Sequence, residues 1–188
     1  YVDLSATSKQ ASRIADILTP LVKLNASEFS NRNAYDCIQV HGGSGFMKEY
    51  ACERLYRDAR ILSIYEGTSQ LQVVAAMKGI ASGAYLKQIA DYDQAMPADL
   101  QGEKAEILGT LRRATETYKQ LYEAVSANGT TDDLFEHNTR ALTEVLSYII
   151  MDYLLLLDTL RDESYMASCR YFAQEAIGWA TYSLAKVK

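Results

Sequence analysis

Residues 37–72 hold the densest set of groups able to do chemistry, reading CIQVHGGSGFMKEYACERLYRDARILSIYEGTSQLQ. Glu66 is a lone carboxylate that follows the largely apolar run Ile61-Leu62-Ser63-Ile64-Tyr65 and precedes Gly67-Thr68. A carboxylate between apolar neighbours and a glycine turn is expected to be partly desolvated, which raises its pKa toward the range of a general base. The bland alternative is a surface glutamate capping the next helix. Upstream, Gly42, Gly43 and Gly45 follow a run with helical periodicity, so a helix ends there and the backbone takes positive φ or approaches something closely. A helix terminator and loop would look the same. A helix, not a strand, precedes these glycines and their spacing is wrong for a Rossmann fingerprint. Glu53, Arg54, Arg57, Asp58 and Arg60 recur at spacings of three and four, expected to pair along a helix. His41 reads as structural before its glycine turn, and His137, in Phe135-Glu136-His137-Asn138, as solvated.

The elements that must position these groups read as helices throughout. Apolar positions from Ala11 to Val40 keep the helical period, interrupted by Thr19-Pro20, a Thr cap followed by Pro at a first helical position. The expectation is a short helix before residue 19 and a long one over 20–41. A charged helix over about 50–63 leads into the Glu66 turn. Thr68 or Ser69 then caps a helix running on past Tyr85 to about residue 92, with its N-terminal amides beside Gly67 and Thr68 in a geometry that suits an anionic ligand. The pattern weakens over 91–102, around Pro97, which marks a linker. Three further helical patterns follow, the first from Ile107 to Val125 and closed by Asn128-Gly129, the others from Leu142 to Leu160 and from Met166 to Leu184. Amphipathic helices of this kind bury their stripes against one another, so the fold class is all-α, with a helical bundle over 100–188 after a first domain over 1–92. Trp179 reads as a packing anchor of the last helix.

Composition narrows the function classes. The chain of 188 residues is long enough for one or two helical units with a core, and 48% hydrophobic residues with only two prolines favour long helices. A net charge of -5 argues against unaided nucleic-acid binding. Cys37, Cys52 and Cys169 are widely spaced without a Cys-x-x-Cys pairing, so the expectation is reduced thiols in a cytoplasmic protein, with no metal site and no disulfide framework. The longest apolar run, 148–157, is interrupted by Asp152 and too short to span a bilayer, so no stable membrane insertion is expected.

Several of these motifs together resemble the acyl-CoA dehydrogenase family: Gln39-Val40-His41-Gly42-Gly43-Ser44-Gly45-Phe46, then Glu49-Tyr50, Arg54, Arg57-Asp58-Ala59 and Ile64-Tyr65-Glu66-Gly67-Thr68-Ser69-Gln70-Leu71-Gln72. The likeness covers approximately the first ninety residues and corresponds to the tail of that family's C-terminal helical domain. Ala51 departs from it, since many members carry proline after Glu-Tyr. The Leu-Thr-Pro-Leu-Val-Lys wording at 18–23 is similar to the branch with an appended C-terminal helical domain, which includes 3-methylmercaptopropionyl-CoA dehydrogenases.

The resemblance implies that Glu66 removes the α-proton of an acyl-CoA thioester while a β-hydride passes to FAD. It implies that Gly67 lies against the thioester, that Thr68 and Gln70 contact FAD of the same subunit, and that Gln39, Gly42 and Gly43 reach the FAD of a neighbouring subunit in a homo-oligomer. Electron-transfer flavoprotein is the implied electron acceptor. It further implies a C-terminal fragment, since the chain opens at Tyr1, with an N-terminal helical domain, a β-domain and the front of the helical domain preceding it. Such a piece would carry catalytic residues and lack most of the cofactor pocket. The alternatives are an acyl-CoA oxidase that uses oxygen as acceptor and a non-catalytic helical assembly module.

Overall fold

The computed structural model describes residues 8–130 and 132–187; residues 1–7, Thr131 and Lys188, which include the outer ends of both expected domains, lie outside the described residues. Every regular element among the described residues is helical, which bears out the all-α class. The chain divides into two compact units, residues 1–76 and 77–188.

In the first unit α1 spans Lys9–His41, α2 Gly43–Phe46 and α3 Ala51–Ile61. The expected break at Pro20 does not occur. Thr19 does not cap a new helix; its hydroxyl donates to the Ala15 carbonyl at 2.7 Å, and Ser8 caps the whole of α1 by accepting from the Ala11 amide. Pro20 forfeits one backbone bond, while Pro20, Leu21 and Leu24 are buried on one stripe, and that packing carries the helix through. α3 runs antiparallel to α1, because contacts pair Lys23 with Leu62, Asn31 with Ala59 and Cys37 with Cys52. The charges of α3 do not pair as expected: among the described residues no ion pair joins Glu53, Arg54, Arg57, Asp58 or Arg60, and Arg60 donates instead to the Ser63 hydroxyl. Exposed helical ion pairs contribute only about 0.3–0.5 kcal/mol, too little to hold these side chains out of solvent contact.

α4 (Ser69–Ala81) runs from the first unit into the second, where α5 (Ala84–Gln94), α6 (Gly102–Ser126), α7 (Asp133–Thr159) and α8 (Met166–Val187) follow. The helix expected to run unbroken to residue 92 stops at Ser82-Gly83, where Gly83 takes φ 71. The Tyr85 ring then folds back over Gly79, where a Cβ would come within 2.5 Å of it. α5 packs on α7, so the second unit takes up residues before the Pro97 stretch. The bundle core includes Leu111, Tyr118, Leu121, Phe135, Leu146, Ile149, Tyr153 and Leu156, each fully buried. Asp93 of α5 ties three helices: Arg112 of α6 donates to it twice, at 2.8 and 3.1 Å, and the Tyr153 hydroxyl of α7 donates at 3.0 Å. Arg112 in particular holds the Asp93 carboxyl below the usual range. α7 begins nine residues before the apolar pattern suggests, because Asp132 caps it by accepting from the Leu134 amide. Trp179 does not anchor the core; it is 36% exposed and stacks edge-on with Tyr182 on the outer face of α8. His137 is exposed on α7, as expected.

Candidate functional site

The Glu66 turn connects α3 to α4 and is fastened from two sides. From α1, Lys23 Nζ donates to the Leu62 carbonyl at 2.8 Å and to the Gly67 carbonyl at 2.7 Å, and lies 5.9 Å from the Tyr65 ring centroid. From α4, Gln72 Nε2 donates to the carbonyls of Glu66 and Gly67, both at 3.3 Å. The Ser69 amide donates back to the Ser63 carbonyl at 3.2 Å, and the Ser69 hydroxyl to Glu28 Oε1 at 2.5 Å. Thr68 caps α4, its hydroxyl accepting from the Leu71 amide.

Within this frame Glu66 has φ 52 and Gly67 φ 89. Glu66 is the one described residue other than glycine in the left-handed region, a conformation that costs an L-residue about 1–2 kcal/mol. A Cβ on Gly67 would approach Gln72 Nε2 to 2.7 Å, so glycine there admits the side chain that holds the turn. The Glu66 side chain is exposed, and its apolar neighbours Ile64 and Tyr65 are themselves each 46% exposed. These neighbours therefore do not desolvate the carboxylate within this chain, contrary to expectation.

The second expected cluster sits at the far end of α1. The helix stops at His41, Gly42 takes φ 59, and α2 folds back so closely that a Cβ on Gly45 would lie 2.7 Å from the Ile38 carbonyl oxygen. Gly45 is thus the packing glycine of the three. Added Cβ atoms on Gly42 and Gly43 would meet nothing within 4 Å, and Gln39 is exposed beside them, so this backbone is open to approach. Gln39 follows Lys23 on α1 by 16 residues, about 24 Å along the axis. The structure therefore groups Glu66, Gly67, Thr68 and Gln70 on one short segment and keeps Gln39, Gly42 and Gly43 apart from the clamp that holds it.

Sequence reasoning missed two residues that build the clamp. Lys23 and Gln72 read as ordinary polar positions of helices, and nothing local marks their carbonyl partners. Cys37 and Cys52, widely spaced in sequence, bring their sulfurs to 3.3 Å beside His41, which the spacing does not announce.

The described residues thus hold a strained, exposed carboxylate on a clamped turn and, on a separate helix end, two glycines with open backbone. Residues 4–81 match the family described as acyl-CoA dehydrogenase, C-terminal domain, and residues 81–179 the one described as acyl-CoA dehydrogenase C terminal. The chain belongs to the acyl-CoA dehydrogenase family.

Among its relatives, the caffeyl-CoA reductase-Etf complex subunit of Acetobacterium woodii is 46% identical over 68 residues, covering 36% of this chain and 17% of that protein. A broad-specificity linear acyl-CoA dehydrogenase of Mycobacterium tuberculosis is 30% identical over 139 residues, covering 62% and 23%. The chain thus spans less than a quarter of the length of these curated relatives. The fold is similar to the crystal structure of an acyl-CoA dehydrogenase complexed with FAD from Bacillus anthracis, with a TM-score of 0.68 at 20% identity over 91% of this chain and 32% of that one. Among the described residues no helix is long and apolar enough to cross a membrane.

Proposed function

We propose that this chain supplies the catalytic base and part of the flavin contacts of an FAD-dependent acyl-CoA dehydrogenase. The observation that carries the reading is Glu66 itself, held in the left-handed region by Lys23 and Gln72 acting on its neighbouring carbonyls. Backbone strain of this kind persists where the surroundings over-determine it, and it clusters at sites that must aim a side chain.

In this reading the Glu66 carboxylate takes the α-proton of an acyl-CoA thioester, whose carbonyl acidifies the neighbouring C–H bond. Bound FAD supplies the acceptor for the β-hydride. Gly67, which admits the Gln72 amide that holds the turn, places its backbone beside the thioester. Thr68 and Gln70, exposed at the N-terminal end of α4, offer polar contacts to the flavin of the same copy. Gln39, Gly42 and Gly43 offer open backbone to the dinucleotide of a neighbouring copy in a homo-oligomer, which accords with their distance along α1 from the Glu66 clamp. Because Glu66 is exposed in this chain, the exclusion of water that raises its basicity falls to substrate and to other parts of the enzyme. Electron-transfer flavoprotein is the proposed electron partner, a reading supported by the Etf complex in the name of one relative. The bundle would serve assembly or cover the active-site side of a neighbour, a reading motivated by its apolar helical stripes and by the lack of a catalytic cluster among its described residues.

The test is Glu66→Gln in the full-length, FAD-loaded enzyme. The amide is nearly isosteric and cannot accept the proton, so FAD stays bound and thioester oxidation falls by at least about a hundredfold. Near-normal turnover in that variant would remove Glu66 from the reaction.

A further inference from the structure

We infer that Cys37, His41 and Cys52 form a binding site for a single thiophilic divalent cation of the Zn2+ class. This site is independent of the redox reading above and uses none of its residues.

Three elements of geometry carry it. Cys37 and His41 stand four residues apart on the last turns of α1, the spacing that puts two helical side chains side by side. Cys52 comes from the first turn of the antiparallel α3, and its sulfur lies 3.3 Å from Cys37 Sγ. One ligand atom from each of the three residues lies within 4.8 Å of the other two. With Zn–S bonds of about 2.3 Å, two thiolates on a tetrahedral ion sit about 3.8 Å apart, so the sulfurs need to separate by about half an ångström.

The surroundings suit an ion as well. His41 Nδ1 is 2.8 Å from the Cys37 carbonyl oxygen. The same nitrogen lies 3.9 Å from Cys37 Sγ, so in binding the ion it gives up the carbonyl contact and the ring proton sits on Nε2. Cys52 is buried at the N-terminal turn of α3. Two sulfurs and an imidazole are a soft-to-borderline set that selects Zn2+ and its thiophilic neighbours over Mg2+ or Ca2+. With His41 exposed, the fourth position opens to water. Two S–H bonds break and two metal–sulfur bonds form, and both protons go to solvent. The ion would staple the end of α1 to the start of α3, across the segment that carries Gly42, Gly43 and α2.

The test is an anaerobic titration of the reduced, metal-free full-length protein with Co2+ as the optical probe, followed by Zn2+. Expected are one ion per chain, a thiolate-to-cobalt charge-transfer band that Zn2+ bleaches, and about two protons released per ion. Cys37→Ser and Cys52→Ser each abolish the band, with Cys52→Ala taking the place of Cys52→Ser if a buried hydroxyl prevents folding. His41→Gln lowers the affinity by at least about tenfold. Cys169→Ala, in the bundle core, leaves the titration unchanged. The inference is overturned by a silent titration in folded protein with free thiols, by unchanged affinity in His41→Gln, or by a Cys37–Cys52 disulfide in the isolated protein that binds no metal after reduction.

Discussion

Lys23 Nζ stands 2.7 Å from the carbonyl oxygen of Gly67, 44 residues further along the chain. The same ammonium holds the Leu62 carbonyl, so one cation closes both ends of the turn that carries Glu66. Lys23→Met keeps the aliphatic stem and removes the donor. Hydrogen bonds from charged groups contribute about 1.5–3 kcal/mol, so urea unfolding should show a loss in that range. Turnover of the full-length, FAD-loaded enzyme should fall about tenfold or more, because a misplaced base loses much of its effect. Unfolding and turnover both at wild-type values would show that the clamp positions nothing.

In the proposed reading Glu66 pairs function with local strain, and the two can be separated. Glu66→Gly removes the left-handed penalty and should stabilise the fold by up to about 1 kcal/mol, measured as a raised urea midpoint. The same variant should lack thioester oxidation. A destabilised Glu66→Gly would mean that the side chain itself holds the turn, and that its backbone angle reflects support instead of strain.

The helices were legible because their burial stripes repeat at the helical period, as in Leu111, Ala114, Tyr118, Leu121 and Val125 of α6. What escaped depended on contacts far apart in sequence. Pro20 reads as a start signal until the buried stripe of Pro20, Leu21 and Leu24 is seen to carry α1 past it. The break at Gly83 follows from Tyr85 packing over Gly79, and a single glycine inside a helical pattern does not announce that. The Glu66 turn was visible as a motif. Its exposure was not, because apolar neighbours in sequence imply burial only when something packs against them, and Ile64 and Tyr65 face outward. Cys37 and Cys52 looked unrelated because only the antiparallel pairing of α1 with α3 brings them together.

The glycines at the end of α1 separate a packing position from two with open surroundings. Gly45→Ala would drive a Cβ to 2.7 Å from the Ile38 carbonyl oxygen, a backbone atom that cannot swing aside, and should cost about 1–3 kcal/mol. Gly43 has no positive φ, and its Cβ would enter open space. Gly43→Ala should therefore leave the urea midpoint within about 0.5 kcal/mol of the parent while weakening FAD binding in the full-length enzyme. Unchanged FAD affinity in a folded Gly43→Ala variant would take this backbone out of the cofactor site.

Asp152 gives the bundle an unusual pH dependence. Its side chain is fully buried on α7, and among the described residues neither oxygen meets normal hydrogen-bond geometry, although the Cys169 thiol lies close enough to act on it. Burial pushes its pKa up to about 7, offset only in part by the buried Cys169 thiol. The folded chain therefore keeps a proton that the unfolded chain, titrating near 3.8, has released. Stability is fullest below the unfolded value, declines as pH rises between them and levels off above about 7, with a total loss of up to about 4 kcal/mol. Asp93, Glu103 and Asp162 have lowered folded values, so their contributions are present above the ordinary carboxylate range and fade only at lower pH. The interval from about pH 5.5 to 7.5 therefore lies above the range where those contributions fade and reports mainly on Asp152. Asp152→Asn should flatten that slope, matching the parent near pH 4.5 and exceeding it at pH 8 by a few kcal/mol at most. Denaturant unfolding across this interval decides the matter, and a parent curve that is flat or rises with pH would show that Asp152 ionises freely in the folded bundle.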